Sequence, residues 1–403
     1  MKVEILCTGD EILTGKTINT NYSHMARRLG DVGLDVMWGT TVGDDRASLL
    51  AAFHQAAARA DAVIVNGGLG PTVDDLSQEI AAEACGVPLV LSDYWMQRMT
   101  ESYARRGRVM PANNRKQAML PEGAEFIDNP IGTACGFAVT IGKARFLFTP
   151  GVPREMRRML DEQVIPRLLK LSGIASVTRL KRFHTFGIGE SRADEMLAGI
   201  PGLAIDGDIK LGFQAHYPQL ETKLAVRGAD ETDLNLRLAP VEAEVRRRLG
   251  NFIVAEDNDT LEGAILAALR ERSLTLAVGE DYTGGNIAAR IAPLVGADGV
   301  FTKGVIMGSL TAGGMTAEAL RAESGASHAL AVAIQLDEGP DRPDFGATIA
   351  LQIADAGGTV SRTARLVGGR DWVRVGAAEL GLDCLRRHLL GLPVDERIDF
   401  ERR

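Results

Sequence analysis

Ala62-Val63-Ile64-Val65-Asn66-Gly67-Gly68-Leu69-Gly70-Pro71-Thr72-Val73-Asp74-Asp75 is the stretch from which the fold is read. A short apolar run, Ala62–Val65, enters a glycine turn, and a helical pattern follows from about Asp75 to Cys85. Such a run, bounded by a turn and lacking polar alternation, marks a strand buried on both faces. A strand feeding a helix through a glycine turn is one half of a βαβ unit.

Outward from this stretch the same unit recurs. Val3–Leu6 reads as a strand and is followed by Thr8-Gly9-Asp10-Glu11 and a helix over Asn21–Leu29. Val36–Trp38 reads as a strand and leads through Thr41-Val42-Gly43-Asp44-Asp45 into a helix carrying Leu49, Leu50 and Phe53. A long helix is expected near Asp93–Arg105. Phe146–Phe148 reads as a strand that breaks at Thr149-Pro150-Gly151-Val152-Pro153. This alternation predicts right-handed βαβ units, a largely parallel sheet and an α/β fold.

In a parallel sheet all four strand-to-helix loops emerge on one edge, where ligands bind. Glycines such as Gly9, Gly67, Gly68, Gly70 and Gly151 let backbone N–H groups approach an anion, and helix N-termini favour negative charge. Asp10, Glu11, Asp44, Asp45, Asp74 and Asp75 would repel a phosphate and one another, and a bound cation resolves that conflict. Asp44 and Asp75 are equally in place to cap helices. Thr72 belongs to the third loop. Lys116, beside Arg115, is a candidate phosphate partner or a solvated charge. Asn129-Pro130-Ile131-Gly132-Thr133-Ala134-Cys135-Gly136 suits wrapping a ligand, with Asn129, Gly132, Thr133 and Gly136 as the contacts, or forms a tight turn between two edge strands.

A chain of 403 residues suits two or three domains. Boundaries are expected at 1–168, 169–254 and 255–403: an α/β unit, a small α+β unit and a second alternating unit. Leu180–Phe186 and Leu220–Val226 read as strands, Val241–Leu249 as a helix and Ala255–Thr260 as a linker. The net charge of −8, with no long basic run, argues against a nucleic-acid-binding surface. The four cysteines are dispersed, which excludes a C-x-x-C pair. Cys135 is the one to watch, because it sits inside a candidate loop. No apolar run approaches a membrane span, the N-terminus does not read as a signal peptide, and a cytoplasmic protein is expected. Lone histidines such as His184 and His216 are more often packing residues than ligands, and neither is assigned a role.

The loops together resemble those of the competence/damage-inducible CinA family. The motifs are T-G-D-E-I-L-x-G (Thr8–Gly15), T-V-G-D-D (Thr41–Asp45), G-G-L-G-P-T-x-D-D (Gly67–Asp75), N-P-x-G-T-A-x-G (Asn129–Gly136), P-G-V-P-x-E-M (Pro150–Met156) and F-G-I-G-E-S (Phe186–Ser191). The resemblance implies a molybdopterin-binding, MoaB/MogA-like three-layer α/β sandwich in the N-terminal domain. It also implies metal-dependent hydrolysis of ADP-ribose to AMP and ribose 5-phosphate. Asp44, Asp45, Asp74 and Asp75 would then position substrate and a magnesium, manganese or cobalt ion, with Asp44 and Asp75 as ligands. A non-catalytic pterin- or nucleotide-phosphate-binding module fits the same loops.

The chain departs from the family pattern in places. Asn19 stands at a usual aspartate position; its amide can hydrogen-bond a ribose but cannot act as a base. Cys135 replaces a proline. In the C-terminal region the resemblance implies a nicotinamide-nucleotide amidase marked by E-S-C-T-G-G, but this chain has Glu280-Asp281-Tyr282-Thr283-Gly284-Gly285, with Asp281 at the serine position. Gly308 and Gly313 replace a tyrosine and a lysine, and only Glu338-Gly339-Pro340 survives of a further motif. A divergent CinA-like branch is expected. Its C-terminal domain would retain the fold without the amidase chemistry and serve as the surface of a homodimer or as a scaffold.

Overall fold

The structure, a computed structural model, describes residues 1–173, 177–203, 208–308, 316–337 and 345–401. Gly313 and Glu338–Pro340 lie outside the described residues. The chain divides into two compact units: Met1–Thr178 with Gly228–Asp230, and Arg179–Arg227 with Glu231–Arg403.

The first unit contains strands β1 (Val3–Thr8), β2 (Val36–Val42), β3 (Ala62–Asn66), β4 (Leu89–Leu91), β5 (Met119–Pro121), β6 (Glu125–Ile127), β7 (Gly136–Ile141) and β8 (Ala144–Thr149). Its helices are α1 (Asp10–Leu13), α2 (Thr20–Asp31), α3 (Arg46–Arg59), α4 (Ser77–Cys85), α5 (Asp93–Arg105), α6 (Pro153–Met159) and α7 (Ile165–Ser172). Six strands form one sheet in the order β2-β1-β3-β8-β7-β6, parallel across β2, β1, β3 and β8 and antiparallel at the β7 and β6 edge.

Alternation along the strands sorts side chains to the two faces. Leu6, Val63, Val65, Phe146 and Phe148 pack with Phe53, Ile80 and Trp95 of α3, α4 and α5. Ile5, Cys7, Ile64 and Leu147 pack with Met25, Met156 and Leu168 of α2, α6 and α7. Both faces are covered, so this unit has the three-layer α/β architecture that the apolar runs predict.

The second unit holds two sheets. The first, ordered β10-β11-β9-β12, comprises β9 (Val177–Phe186), β10 (Ile209–His216), β11 (Gln219–Gly228) and β12 (Ile253–Glu256), with α8 (Glu190–Leu197) and α9 (Glu231–Leu249). The second is ordered β14-β13-β15-β16-β17, from β13 (Leu276–Asp281), β14 (Phe301–Met307), β15 (His328–Leu336), β16 (Gly346–Asp355) and β17 (Gly358–Val367). Its helices are α10 (Leu261–Glu271), α11 (Asn286–Ile291), α12 (Ala317–Ser324) and α13 (Arg370–Leu390). Strands β13, β14 and β15 are parallel, whereas β16 and β17 run antiparallel.

Three local expectations are corrected. The segment 255–260 does not begin as a linker: Ala255 and Glu256 finish β12, with Ala255 paired to His184. Helix α9 starts ten residues before Val241 and carries Pro240 in its interior. Helix α4 starts at Ser77 rather than Asp75, because the Asp75 carboxylate folds back onto the N–H and hydroxyl of Thr72.

Candidate functional site

Strand register brings the four loops together. Thr8 lies opposite Val42, Cys7 opposite Asn66, and Asn66 opposite Thr149, so β1, β2, β3 and β8 end along one edge. Buried Asn66 ties these ends into a unit. Its amide donates to Thr149 Oγ1 (3.2 Å) and the Pro150 carbonyl (2.7 Å). Its Oδ1 accepts from the amide of Asn21, which also donates to the Gly151 carbonyl at 2.7 Å. Gly67 and Gly68 have φ of 112° and 69°. A Cβ on Gly67 would lie 2.5 Å from Thr8 Oγ1, and one on Gly68 would strike Ser77. The turn therefore requires glycine at both positions.

The loops enclose a cavity of about 420 Å³. Gly9, Glu11, Asp44, Gly67, Gly68, Gly70, Asp74, Asp75, Thr133 and Gly151 all line it. Burial pushes the Asp44 carboxyl above its usual range, and the charges of Asp10, Glu11 and Asp74 add to the rise. Thr8 Oγ1, buried at the cavity wall, has no hydrogen-bond partner among the described residues.

Other expected residues do not line it. Asp10 donates its N–H to the Asp44 carboxylate, and its own carboxylate accepts from the Asp44 N–H. Asp45 caps α3, accepting from Ser48 N–H at 2.8 Å, and this lowers its pKa. Because Asp45 supplies the cap, Asp44 faces the cavity. Asn19 caps α2 through Tyr22 N–H. Lys116 does not face the cavity: it holds the Thr72 carbonyl at 2.9 Å and pairs with Glu79 at 3.5 Å. Thr72 turns inward onto Asp75. Gly136 begins β7 in close contact with Met159 and Ile127, a packing position.

Asn129 and Gly132 line a second cavity of about 670 Å³, which shares Val152 and Glu155 with the first. Asn129 orders its loop, accepting from Gly132 N–H at 3.0 Å and donating to Glu155 at 2.8 Å. Arg98, Arg105, Arg106 and Arg154 line this second space. Arg98 is paired with Asp128, while Arg105, Arg106 and Arg154 form no ion pair among the described residues. An acidic cavity thus adjoins a basic one. The sequence reading missed these arginines, because Arg105 and Arg106 end a helix where cations usually face water. The P-G-V-P-x-E-M motif does hold the signal for Glu155. Cys135 is buried beside Phe137, and burial raises its thiol pKa, which leaves it an inert packing group.

In the second unit, Tyr282, Gly284 and Gly285 have positive φ (62°, 70° and 82°) at the turn into α11. Buried Glu280 accepts from the Thr283 hydroxyl and from the N–H groups of Ile287 and Ala288. Thr283 and the two glycines therefore build the strand-to-helix turn itself. His184 Nε2 lies 2.9 Å from the Asp257 carbonyl, and His216 is exposed at a hairpin end.

Comparisons with known proteins give the family. Residues 4–170 match the model described as a probable molybdopterin binding domain, 180–255 the damage-inducible protein CinA KH domain, and 258–312 the CinA C-terminal domain. A CinA-like protein of Shewanella sediminis is 38% identical over 97% of this chain and 96% of its own length. One from Geobacter sulfurreducens is 37% identical over 97% and 100%. Among solved structures, CinA of unknown function from Thermoplasma acidophilum is 32% identical over 41% of this chain and 96% of its own, with a TM-score of 0.38. MoaB of Thermus thermophilus is 21% identical over 43% and 96%, with a TM-score of 0.30. The chain belongs to the CinA-like family.

Proposed function

We propose that the N-terminal unit binds a nucleotide-like ligand across the two adjoining cavities. With a divalent metal (magnesium, manganese or cobalt) it hydrolyses the pyrophosphate of ADP-ribose or a related nucleotide. The observation that carries this reading is the pairing of spaces: carboxylates Glu11, Asp44, Asp74 and Asp75 line one, and Arg105, Arg106 and Arg154 line the next.

The residues fit a magnesium-type ion, since the Asp44 carboxyl sits among like charges that a cation would relieve. Asp44 and Asp75 would hold it. Among the described residues, no three carboxylates here converge within 4.8 Å. One or two carboxylates would therefore be its protein ligands, the usual number for such ions. When bound, the ion would neutralise phosphate charge and polarise the phosphorus toward attack. The backbone of Gly67–Gly70 cradles the anion, and the arginines hold the second phosphate and its sugar. Asp74 orients the attacking water.

The C-terminal unit, with Asp281 in place of a serine, carries no amidase chemistry in this reading, because an ionised carboxylate has no proton for a base to remove. Release of ammonia from nicotinamide mononucleotide would overturn that part.

A second reading, a pterin- or nucleotide-phosphate-binding protein without turnover, is favoured by Asn19, whose amide is engaged as a helix cap. The deciding experiment incubates the full chain with ADP-ribose, with and without magnesium, manganese or cobalt, and measures AMP by chromatography. Metal-dependent AMP that disappears in the Asp74→Ala, Asp75→Ala double variant supports hydrolysis. Binding without AMP establishes the second reading, and full turnover by the double variant sinks the mechanism.

A further inference from the structure

Three side chains that no motif singles out meet at the amino end of β15, the sheet edge away from the Asp281 turn. His328 opens β15, Asp355 closes the antiparallel β16, and His388 lies in the last turn of α13. Asp355 Oδ2 lies 3.0 Å from His388 Nε2 and 3.8 Å from His328 Nε2. The three atoms fall within 4.8 Å of one another, and among the described residues no other set of three His, Cys, Asp or Glu side chains does so. We propose that His328, Asp355 and His388 form a site for a divalent transition metal of the zinc class, with a fourth position open to solvent.

The hydrogen bonds behind the cluster favour ligation. Ser327 Oγ accepts from Thr275 N–H (2.7 Å) and donates to the Thr275 carbonyl (2.9 Å). With that hydrogen on the Thr275 carbonyl, the contact with His328 Nδ1 at 3.0 Å has the imidazole donating. His328 Nε2 then presents a lone pair toward Asp355 Oδ2, which also carries lone pairs. Asp355 is oriented in turn, its Oδ1 accepting from Gly357 N–H at 2.7 Å. A hydrogen bond from His388 satisfies Asp355, but it leaves the His328 lone pair facing a carboxylate. A cation between the three atoms resolves this. Partners that fix the imidazole tautomer and the carboxylate rotamer are the usual support of metal ligands.

The dimensions agree with zinc. Tetrahedral ligation at about 2.0–2.1 Å places ligand atoms about 3.3 Å apart. The observed 3.0 and 3.8 Å straddle that separation, and the distance between the two histidine nitrogens lies within 4.8 Å. Two imidazoles and one carboxylate suit a borderline ion, whereas magnesium and calcium prefer all-oxygen sets. The side chains are 11%, 26% and 18% exposed, which leaves water access to the remaining position. The site is separate from the acidic cavity of the first unit and does not depend on its function.

The test is a titration of the metal-free full chain with cobalt(II), followed by visible absorption and calorimetry. Tetrahedral cobalt with imidazole ligands absorbs strongly, whereas an octahedral all-oxygen site absorbs weakly, so the two candidate sites are told apart. The expected result is one equivalent of strongly absorbing cobalt per chain, displaced by one equivalent of zinc. The Asp74→Ala, Asp75→Ala chain should retain it. His328→Gln and His388→Gln should each abolish it, and Ser327→Ala should weaken it by about ten- to a hundredfold. The isosteric Asp355→Asn, which preserves the turn at Gly357, guards against loss through misfolding and should also abolish it. Absence of the strong band in the wild-type chain, or its survival in both histidine variants, overturns the proposal.

Discussion

Asp10 and Asp44 hold each other's backbone: Asp44 Oδ2 accepts from the Asp10 N–H and Asp10 Oδ1 from the Asp44 N–H, each at 3.2 Å. The exchange fixes the start of α1 against the loop after β2, and it sets the Asp10 carboxylate beside Asp44, which lines the cavity. Such an arrangement trades stability for a ligand site. Asp44→Asn keeps an acceptor oxygen and removes a charge. In thermal melts without metal its first transition is expected to rise by about 2 °C. The added stabilisation that ADP-ribose with manganese gives the wild-type chain should vanish. A lower melting temperature without metal would show that the carboxylate serves structure alone.

Asn66 is the buried knot of the first unit, with one amide serving both Thr149 and Pro150 while its oxygen serves Asn21. Asn66→Ala removes one hydrogen bond each from Asn21, Thr149 and the Pro150 carbonyl at a buried position, while Asn21 keeps the Gly151 carbonyl and Thr149 the Val65 carbonyl. The expected cost is about 2–4 kcal/mol. Denaturation followed by Trp38 and Trp95 fluorescence in a Trp372→Phe background isolates this unit, since the chain has 3 tryptophans. A cost below 1 kcal/mol would mean that water replaces the lost bonds and that the loops are held by other contacts.

Glu256 offers a pH test in the second unit. Its carboxylate accepts two hydrogen bonds from Arg246, both 2.8 Å, and pairs with Lys181 at 2.6 Å. The hydrogen bonds from Arg246 are the larger cause, Lys181 the next, and together they hold its pKa down at about 2 against an ordinary 4.5. A depressed folded-state value means that the stabilisation is present above pH 4.5 and is lost as pH falls toward 2. Partial exposure screens the pair, so about 1 kcal/mol is expected. Glu256→Gln should therefore unfold more easily than wild type at pH 7, and the two should converge between pH 4.5 and 2. Parallel curves across that range would refute the linkage.

Much of this was legible in the sequence wherever a local rule and the tertiary fold agree. The runs Val3–Leu6, Ala62–Val65 and Phe146–Phe148 read as strands because both sheet faces are covered, and their shared edge followed from topology. Individual roles within the loops were less legible. Nothing in Gly43-Asp44-Asp45 says which aspartate caps α3, and the structure gives that task to Asp45. Asn66, the knot of the loops, reads as an ordinary turn residue. Lys116 has the charge of a phosphate ligand but is spent on a carbonyl 44 residues away. The His328, Asp355 and His388 cluster draws on three elements, so no spacing announces it. Helix α13 left no amphipathic stripe to read, because Glu379, Asp383, Arg386 and Arg387 are buried along with its apolar residues.

That helix supplies the last test. Asp383, fully buried, accepts from Arg386 through Oδ1 (2.7 and 2.9 Å) and from Arg387 through Oδ2 (2.7 Å). Both guanidinium groups reach on to the Asn251 carbonyl, and Arg387 also pairs with Glu396, so one carboxylate anchors two buried cations to the chain around α9 and the C-terminal segment. Removing one member of a buried ionic group leaves uncompensated charge, at a cost of about 3–5 kcal/mol. Asp383→Asn is expected near the lower end of that range, because the amide oxygen still accepts from one arginine. Replacing all three at once, Asp383→Leu, Arg386→Met and Arg387→Leu, removes the charges together and should recover most of the loss. Denaturation followed by Trp372 fluorescence, in a background with Trp38→Phe and Trp95→Phe, reads this unit. A triple variant no more stable than Asp383→Asn would show that the bonds to the Asn251 carbonyl and Glu396, rather than neutralisation of buried charge, hold the helix in place.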